Sequence, residues 1–365
     1  MTPAVAPMQL TSRWRYLADI FLLARIVAGL AIILAAKDGR PYLHHLGFVV
    51  GLVLVTWPVR GIRTATIYDA FLLGVVGAYV IVGLQWLIEI ALLHGAALTF
   101  RASVIAPLTE EPLKILPLLL LVFVLPWRGR WSCGACDLMV LGVALGSGFG
   151  FVEDSLRHKM SYPDAIGPHF LGIPLTPDAH SNFIGHGGSA GFICLAIGWW
   201  VWMSRWKMLR VVAFLPAIFV GLWMMFDHGL ANYSTFTMDR YTRWFWAFDD
   251  RGERAPYVFV AAVVLTLVVE WGVLLAANWK LRRVPLSRAL AYARASLIGG
   301  FGYGELRMLL RRIRGVLLYL LARRQFGYLI AHRRGDASLD TKRYAMVVTE
   351  TAGRVILAQE AIANP

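Results

Sequence analysis

The sequence predicts an all-α, polytopic transmembrane helical bundle of about eight spans, followed by a basic amphipathic cytoplasmic tail. Three observations predict it. Of the 365 residues, 58% are apolar or aromatic and only 16% are charged, with a mean hydropathy of +0.60. An ordinary soluble domain is about 45–50% apolar and about 25% charged. Apolar runs long enough to cross ~30 Å of hydrocarbon recur along the chain. The net charge of +14 is concentrated at one end: residues 280–365 carry sixteen Lys/Arg against five Asp/Glu, or +11, which leaves +3 for residues 1–279. A disordered chain and a soluble globular enzyme are excluded on composition, and three cysteines cannot build a disulfide framework.

The apolar runs fall at 17–36, 44–58, 69–93, 103–125, 137–157, 183–203, 211–230 and 256–278. The first reads as a signal anchor, being too long for a cleavable leader and lacking a small-residue cleavage pattern. The second is short. The fifth carries Gly142, Gly146 and Gly150 at four-residue spacing, which suits close helix packing. With both termini cytoplasmic, the inside loops hold Arg13 and Arg15, Arg60 and Arg63, Arg128 and Arg130, then Arg205, Lys207 and Arg210. The outside loops mix acidic and basic residues. Eight spans thus satisfy the positive-inside bias. Cys133 and Cys136 form one CxxC in an inside loop; without a second pair they read as reduced thiols. The Trp and Arg density suggests a bacterial source, so the expected location is the bacterial plasma membrane.

Ionisable groups inside spans cost roughly 2.5–3.5 kcal/mol each on insertion scales and are functional candidates by default. Four clusters stand out. Span four holds Glu110, Glu111 and Lys114 beside Pro112. On a helix Lys114 lies within ~40° of Glu110 and ~60° of Glu111, while the two glutamates point ~100° apart. Span five ends near Phe149 and Glu153, span six opens near His186, and span seven ends at His228, with Asn232 one turn on. The topology puts all four clusters in the outer half of the bilayer.

Such a set around a wet cavity can perform hydrolysis. A glutamate in a low-dielectric pocket can act as general base on water. Two His and one Glu are also a ligand set for catalytic zinc, with a fourth position left for water. Asn232 or a His can hydrogen-bond the oxyanion. Each group also has a plain structural reading: a Glu–Lys ion pair, an interfacial Glu153, a His186 satisfied by a carbonyl, an Asp227–His228 pair. Glu89, Gln85, Glu270, Asp178 and His180 are left outside the site on this reading.

These residues resemble the pattern of the PrsW family of intramembrane proteases, relatives of the CAAX-processing and bacteriocin-processing membrane proteases. Glu110, Glu111 and Lys114 match EExxK. Phe149 and Glu153 match FxxxE, and His186 matches the His that opens the next helix. His228, Gly229 and Asn232 match the last element. The likeness covers about residues 69–235 and leaves out the first two spans and the tail. It implies hydrolysis of a peptide bond in a membrane-anchored protein, with regulated cleavage of a single-span anti-sigma factor as the best-known role. It does not settle zinc against a metal-free Glu/His mechanism.

The expectation is therefore a protease domain over residues 1–279 and a basic tail over 280–365. Glu110 or Glu111 activates water, Lys114 tunes the pair, Glu153, His186 and His228 bind zinc or orient water, and Asn232 assists His228. The alternative from another class is a proton-coupled transporter or ion carrier using the same groups as a relay. The tail, with Arg-rich stretches such as Arg311-Arg312-Ile313-Arg314, is expected to lie on the anionic leaflet or to dock a partner, and not to bind nucleic acid.

Overall fold

A computed structural model describes residues 40–62, 64–92, 97–120, 133–159, 185–204, 209–236 and 254–280, two short strands at 169–170 and 173–174, and the single positions Arg25, Val27 and Arg324. Most of the first apolar run, nearly all of the basic tail, and Asp178 and His180 lie outside the described residues. The described chain is helical apart from the strands. Helix α1 is Arg40–Val55 and α2 is Thr64–Leu92. Ahead of and into the fourth apolar run come α3 (Leu98–Phe100), a π-helical turn (Arg101–Ile105) and α4 (Ala106–Leu119). Then come α5 (Ala135–Lys159), strands β1 (His169–Phe170) and β2 (Ile173–Pro174), α6 (Gly185–Met203), α7 (Leu209–Phe236) and α8 (Arg254–Lys280). The strands pair antiparallel, Phe170 opposite Ile173, in a stretch that hydropathy leaves as a loop.

Among the described residues, four helices are long and apolar enough to cross a membrane: Thr64–Ala91, Ala135–Ser155, Val211–Asn232 and Tyr257–Ala276. They are of two kinds. The apolar window of α5 is wholly buried within the protein, whereas about a third or less of the window is buried in α2, α7 and α8. The exposed side chains of those three, such as Val76, Trp86, Phe219, Leu222, Leu265 and Val268, are the ones a bilayer would cover.

The glycines of α5 explain its central place. A side chain on Gly146 would overlap the carbonyl of His186 on α6, and one on Gly148 the carbonyl of Phe71 on α2. Small residues there let three backbones approach closely. Gly146→Ala should destabilise the protein by about 1–3 kcal/mol through overpacking. Gly77→Ala, whose new methyl group would meet nothing within 4 Å, serves as the neutral control. Thermal unfolding of the detergent-solubilised protein checks both.

Each end of α5 is fixed by polar bonds. At its first turn Asp137, fully buried, accepts the N–H groups of Gly134, Gly61 and Ile62, which ties the α1–α2 connection to α5. Glu270 of α8 accepts the N–H of Cys136 at 3.1 Å, a helix contact as its position in the last span suggests. Cys133, Cys136 and Cys194 are unbridged and buried. Burial pushes the Cys133 thiol up, and the Asp137 and Glu270 carboxylates add to it, so this cysteine stays protonated and unreactive. At the far end of α5, His45 Nε2 lies 2.7 Å from Asp154 Oδ2.

Candidate active site

The site begins with a break in helical hydrogen bonding. Pro107 has no N–H, so it cannot close an i→i−4 bond to Ser103. The chain widens into the π turn, where the N–H of Ala106 reaches the carbonyl of Arg101. The carbonyl of Ala102 is thereby left for a side chain, and Asn232 Nδ2 donates to it at 2.8 Å. The carbonyl of Ser103 faces Gly229, where a side chain would collide with it. Gly229 and Asn232 thus join α7 to the π turn. The Nδ2 of Asn232, a residue expected to assist His228, is thus committed to Ala102. π turns inside α-helices are frequent at functional sites.

One turn further on, α4 buries Glu110, Glu111 and Lys114 together. Lys114 Nζ donates to Glu111 Oε1 at 2.6 Å and lies 4.0 Å from Glu110 Oε2. Of the two carboxylates within reach on the helix wheel, Lys114 therefore takes Glu111. It also lies 2.6 Å from His186 Nδ1 and 4.7 Å from the centre of the Phe149 ring. A lysine can only donate, so His186 Nδ1 accepts. That leaves the other nitrogen of His186, Nε2, to donate to Glu153, with which it pairs. The Phe149 ring sits edge-on to His186 at 4.9 Å, so the FxxxE stretch supports both His186 and Lys114.

Glu111 is 0% exposed and its oxygens are committed. Oε1 accepts from Lys114 and from His228 Nδ1, the latter at 2.8 Å, and Oε2 accepts from the hydroxyl of Ser189. A carboxylate that accepts from His228 Nδ1 fixes its tautomer and puts the lone pair on Nε2, the nitrogen on the side of Glu110.

Glu110 is arranged differently. Its Oε1 accepts from Gln85 Nε2 at 3.0 Å. Its Oε2 is buried without a hydrogen-bond partner, 3.8 Å from His228 Nε2. The rings of His186 and His228 meet edge to face at 5.0 Å. Glu110, His186 and His228 each offer a ligand atom within 4.8 Å of the others. This metal-competent trio takes Glu110 where the sequence reading took Glu153, which is engaged as the partner of His186. Two of the three donors fit a divalent metal directly, since Glu110 Oε2 faces a His228 nitrogen whose tautomer is fixed from behind; the third, His186 Nδ1, is held by Lys114, which a metal would replace.

All six ionisable residues named from the sequence (Glu110, Glu111, Lys114, Glu153, His186 and His228) lie in this one cluster. Two members escaped the sequence reading. Ser189 lies one turn beyond His186 on the same face of α6, and its i+3 spacing was the available signal. Gln85, set aside from the site, holds both Glu110 and Thr109. Glu89, also set aside, accepts from Arg101 at 2.7 Å, at the start of the π turn.

A family model described as PrsW family intramembrane metalloprotease matches residues 63–269, more than half of the chain. No curated protein and no solved structure matches.

Proposed function

Because the chain belongs to the PrsW family of intramembrane metalloproteases, we propose that this protease hydrolyses a peptide bond in a membrane-anchored protein, with the Glu110/His228 pair at the reacting centre. The observation that carries this reading is Glu110 Oε2, buried without a hydrogen-bond partner and facing His228 Nε2 at 3.8 Å inside the Glu/His cluster. Glu111, Lys114 and Ser189 keep that pair in place. Glu111 holds the proton on His228 Nδ1, so the Nε2 lone pair points at Glu110. Glu153 holds the proton on His186 Nε2, and Lys114 donates to its Nδ1. The free Glu110 oxygen serves either to take the proton of the attacking water or to complete a ligand set, and the leaving amine receives its proton from the same cluster.

Glu110 and His228 are the residues that would hold the metal, and His186 would join them where the metal replaces Lys114 at its Nδ1. When bound, a divalent ion supplies a polarised scissile carbonyl and a water of lowered pKa. Zinc suits this nitrogen- and oxygen-donor set.

We place the protein in the bacterial inner membrane with eight spans and both termini cytoplasmic, which puts the cluster in the outer half of the bilayer. A single-span substrate of the anti-sigma-factor type suits that depth, since its scissile bond must reach a hydrated pocket within one leaflet. The test is co-expression with a tagged single-span candidate encoded beside this gene. Wild type should release a shortened fragment, and His228→Ala should not, at equal membrane abundance. Purified wild type should carry about one divalent ion per chain, and His186→Ala clearly less. Continued cleavage by His228→Ala would sink the hydrolytic reading and favour a proton relay.

A further inference from the structure

The end of α5 opposite the Glu/His cluster carries a second feature that the proteolytic reading does not use. The connection between α1 and α2, residues 56–62, is fixed from within and from below. Thr56 accepts the N–H groups of Val59 and Arg60, and Asp137 accepts those of Gly61 and Ile62. On this support Trp57 remains 37% exposed while Arg60 is 3% exposed. The Arg60 guanidinium lies 5.1 Å from the centre of the Trp57 ring. A second guanidinium, that of Arg324 from the basic tail, lies 5.4 Å from the same ring. Arg324 Nη1 also donates to the carbonyl of Arg60 at 3.2 Å.

We propose that the tail docks within its own chain, through Arg324, onto the α1–α2 connection, with Trp57 as its aromatic seat and the Arg60 carbonyl as its acceptor. The chemistry suits arginine in particular. A planar guanidinium can stack on an indole and donate in its own plane at once, which an ammonium does less well. Two modest contacts suffice, because a tethered segment meets its site at high effective concentration. The seat is also stiff. Its amides are bonded to the first turn of α5, so the tail meets a surface already ordered. The competing partner for so basic a segment is an anionic membrane surface. The Arg324 contacts favour the protein seat. This inference does not depend on the proteolytic reading.

The test uses the full chain with a C-terminal tag, in nanodiscs of neutral phosphatidylcholine, under limited chymotrypsin digestion. The readout is the rate at which the tag is lost. Arg324→Ala and Trp57→Leu should each speed its release by at least about fivefold, and the double variant should be no faster than the faster single variant, since both remove one contact. Arg323→Ala, which removes the same charge one residue away, should leave the rate unchanged. The proposal is overturned if Arg324→Ala leaves the rate at the wild-type value, or if Arg323→Ala matches it. It is equally overturned if the two substitutions multiply, or if protection appears only after anionic lipid is added. Should Trp57→Leu fail to fold, Arg324→Ala against Arg323→Ala decides the matter.

Discussion

Glu110→Gln should abolish cleavage while leaving a folded, membrane-abundant protein. The substitution keeps the shape of the side chain and leaves an oxygen to accept from Gln85 Nε2. It removes only the charge and the basicity of the oxygen that no donor claims. The melting temperature should therefore stay near that of wild type. The cleavage rate should fall by about 10²–10⁴-fold, the range associated with loss of a positioned acid or base. Cleavage assays on the co-expressed substrate, paired with thermal unfolding in detergent, measure the two quantities separately. Activity within a few-fold of wild type would remove Glu110 from the reacting centre.

For Glu111→Ala the larger loss should be in stability. Its carboxylate accepts from Lys114, His228 and Ser189 in a fully buried place. Its removal leaves a buried ammonium and a hydroxyl short of partners and releases the tautomer of His228. Breaking a buried pair from one side costs about 3–5 kcal/mol. Replacing Lys114 as well, as in Glu111→Leu with Lys114→Met, should recover the part of the loss that comes from the unpaired ammonium, without recovering cleavage. If Glu111→Ala unfolds at the wild-type temperature and only its activity falls, Glu111 acts in the chemistry rather than in holding the site.

The charged members of the cluster were legible because charge is conspicuous against an apolar background. Glu110, Glu111, Lys114 and Glu153 each violate the composition of the span that carries them, and motif order brought His186 and His228 in with them. The helix wheel left Lys114 between two carboxylates, since spacing along one helix says little about the neighbours pressing on it. Packing against α6 and α7 decides for Glu111, because Ser189 and His228 converge on it. Ser189 and Gln85 were hidden for the opposite reason to the charges. A serine among glycines and alanines reads as a small packing residue, and an uncharged amide in a span carries little penalty to notice. The bond from Asn232 to Ala102 was not legible because its acceptor is created by the π turn, a one-residue change of hydrogen-bonding register that hydropathy does not carry. The helical fold was legible from hydropathy, and the glycine pattern pointed to close packing of α5. What hydropathy could not give was which span sits at the centre, since α5 is less apolar than α2 or α8.

That central position has a consequence for how this family can vary. A helix with one lipid-facing side can exchange Leu, Val, Ile and Phe along it with little effect, because the bilayer accepts any of them. Helix α5 has no such side. Its neighbours enclose the whole apolar window, it has backbones close against it on two faces, and it carries Asp137 at one end and Glu153 at the other. In a library of single apolar substitutions, α2, α7 and α8 form the tolerant shell, and α5 is the axle whose every face is already spoken for.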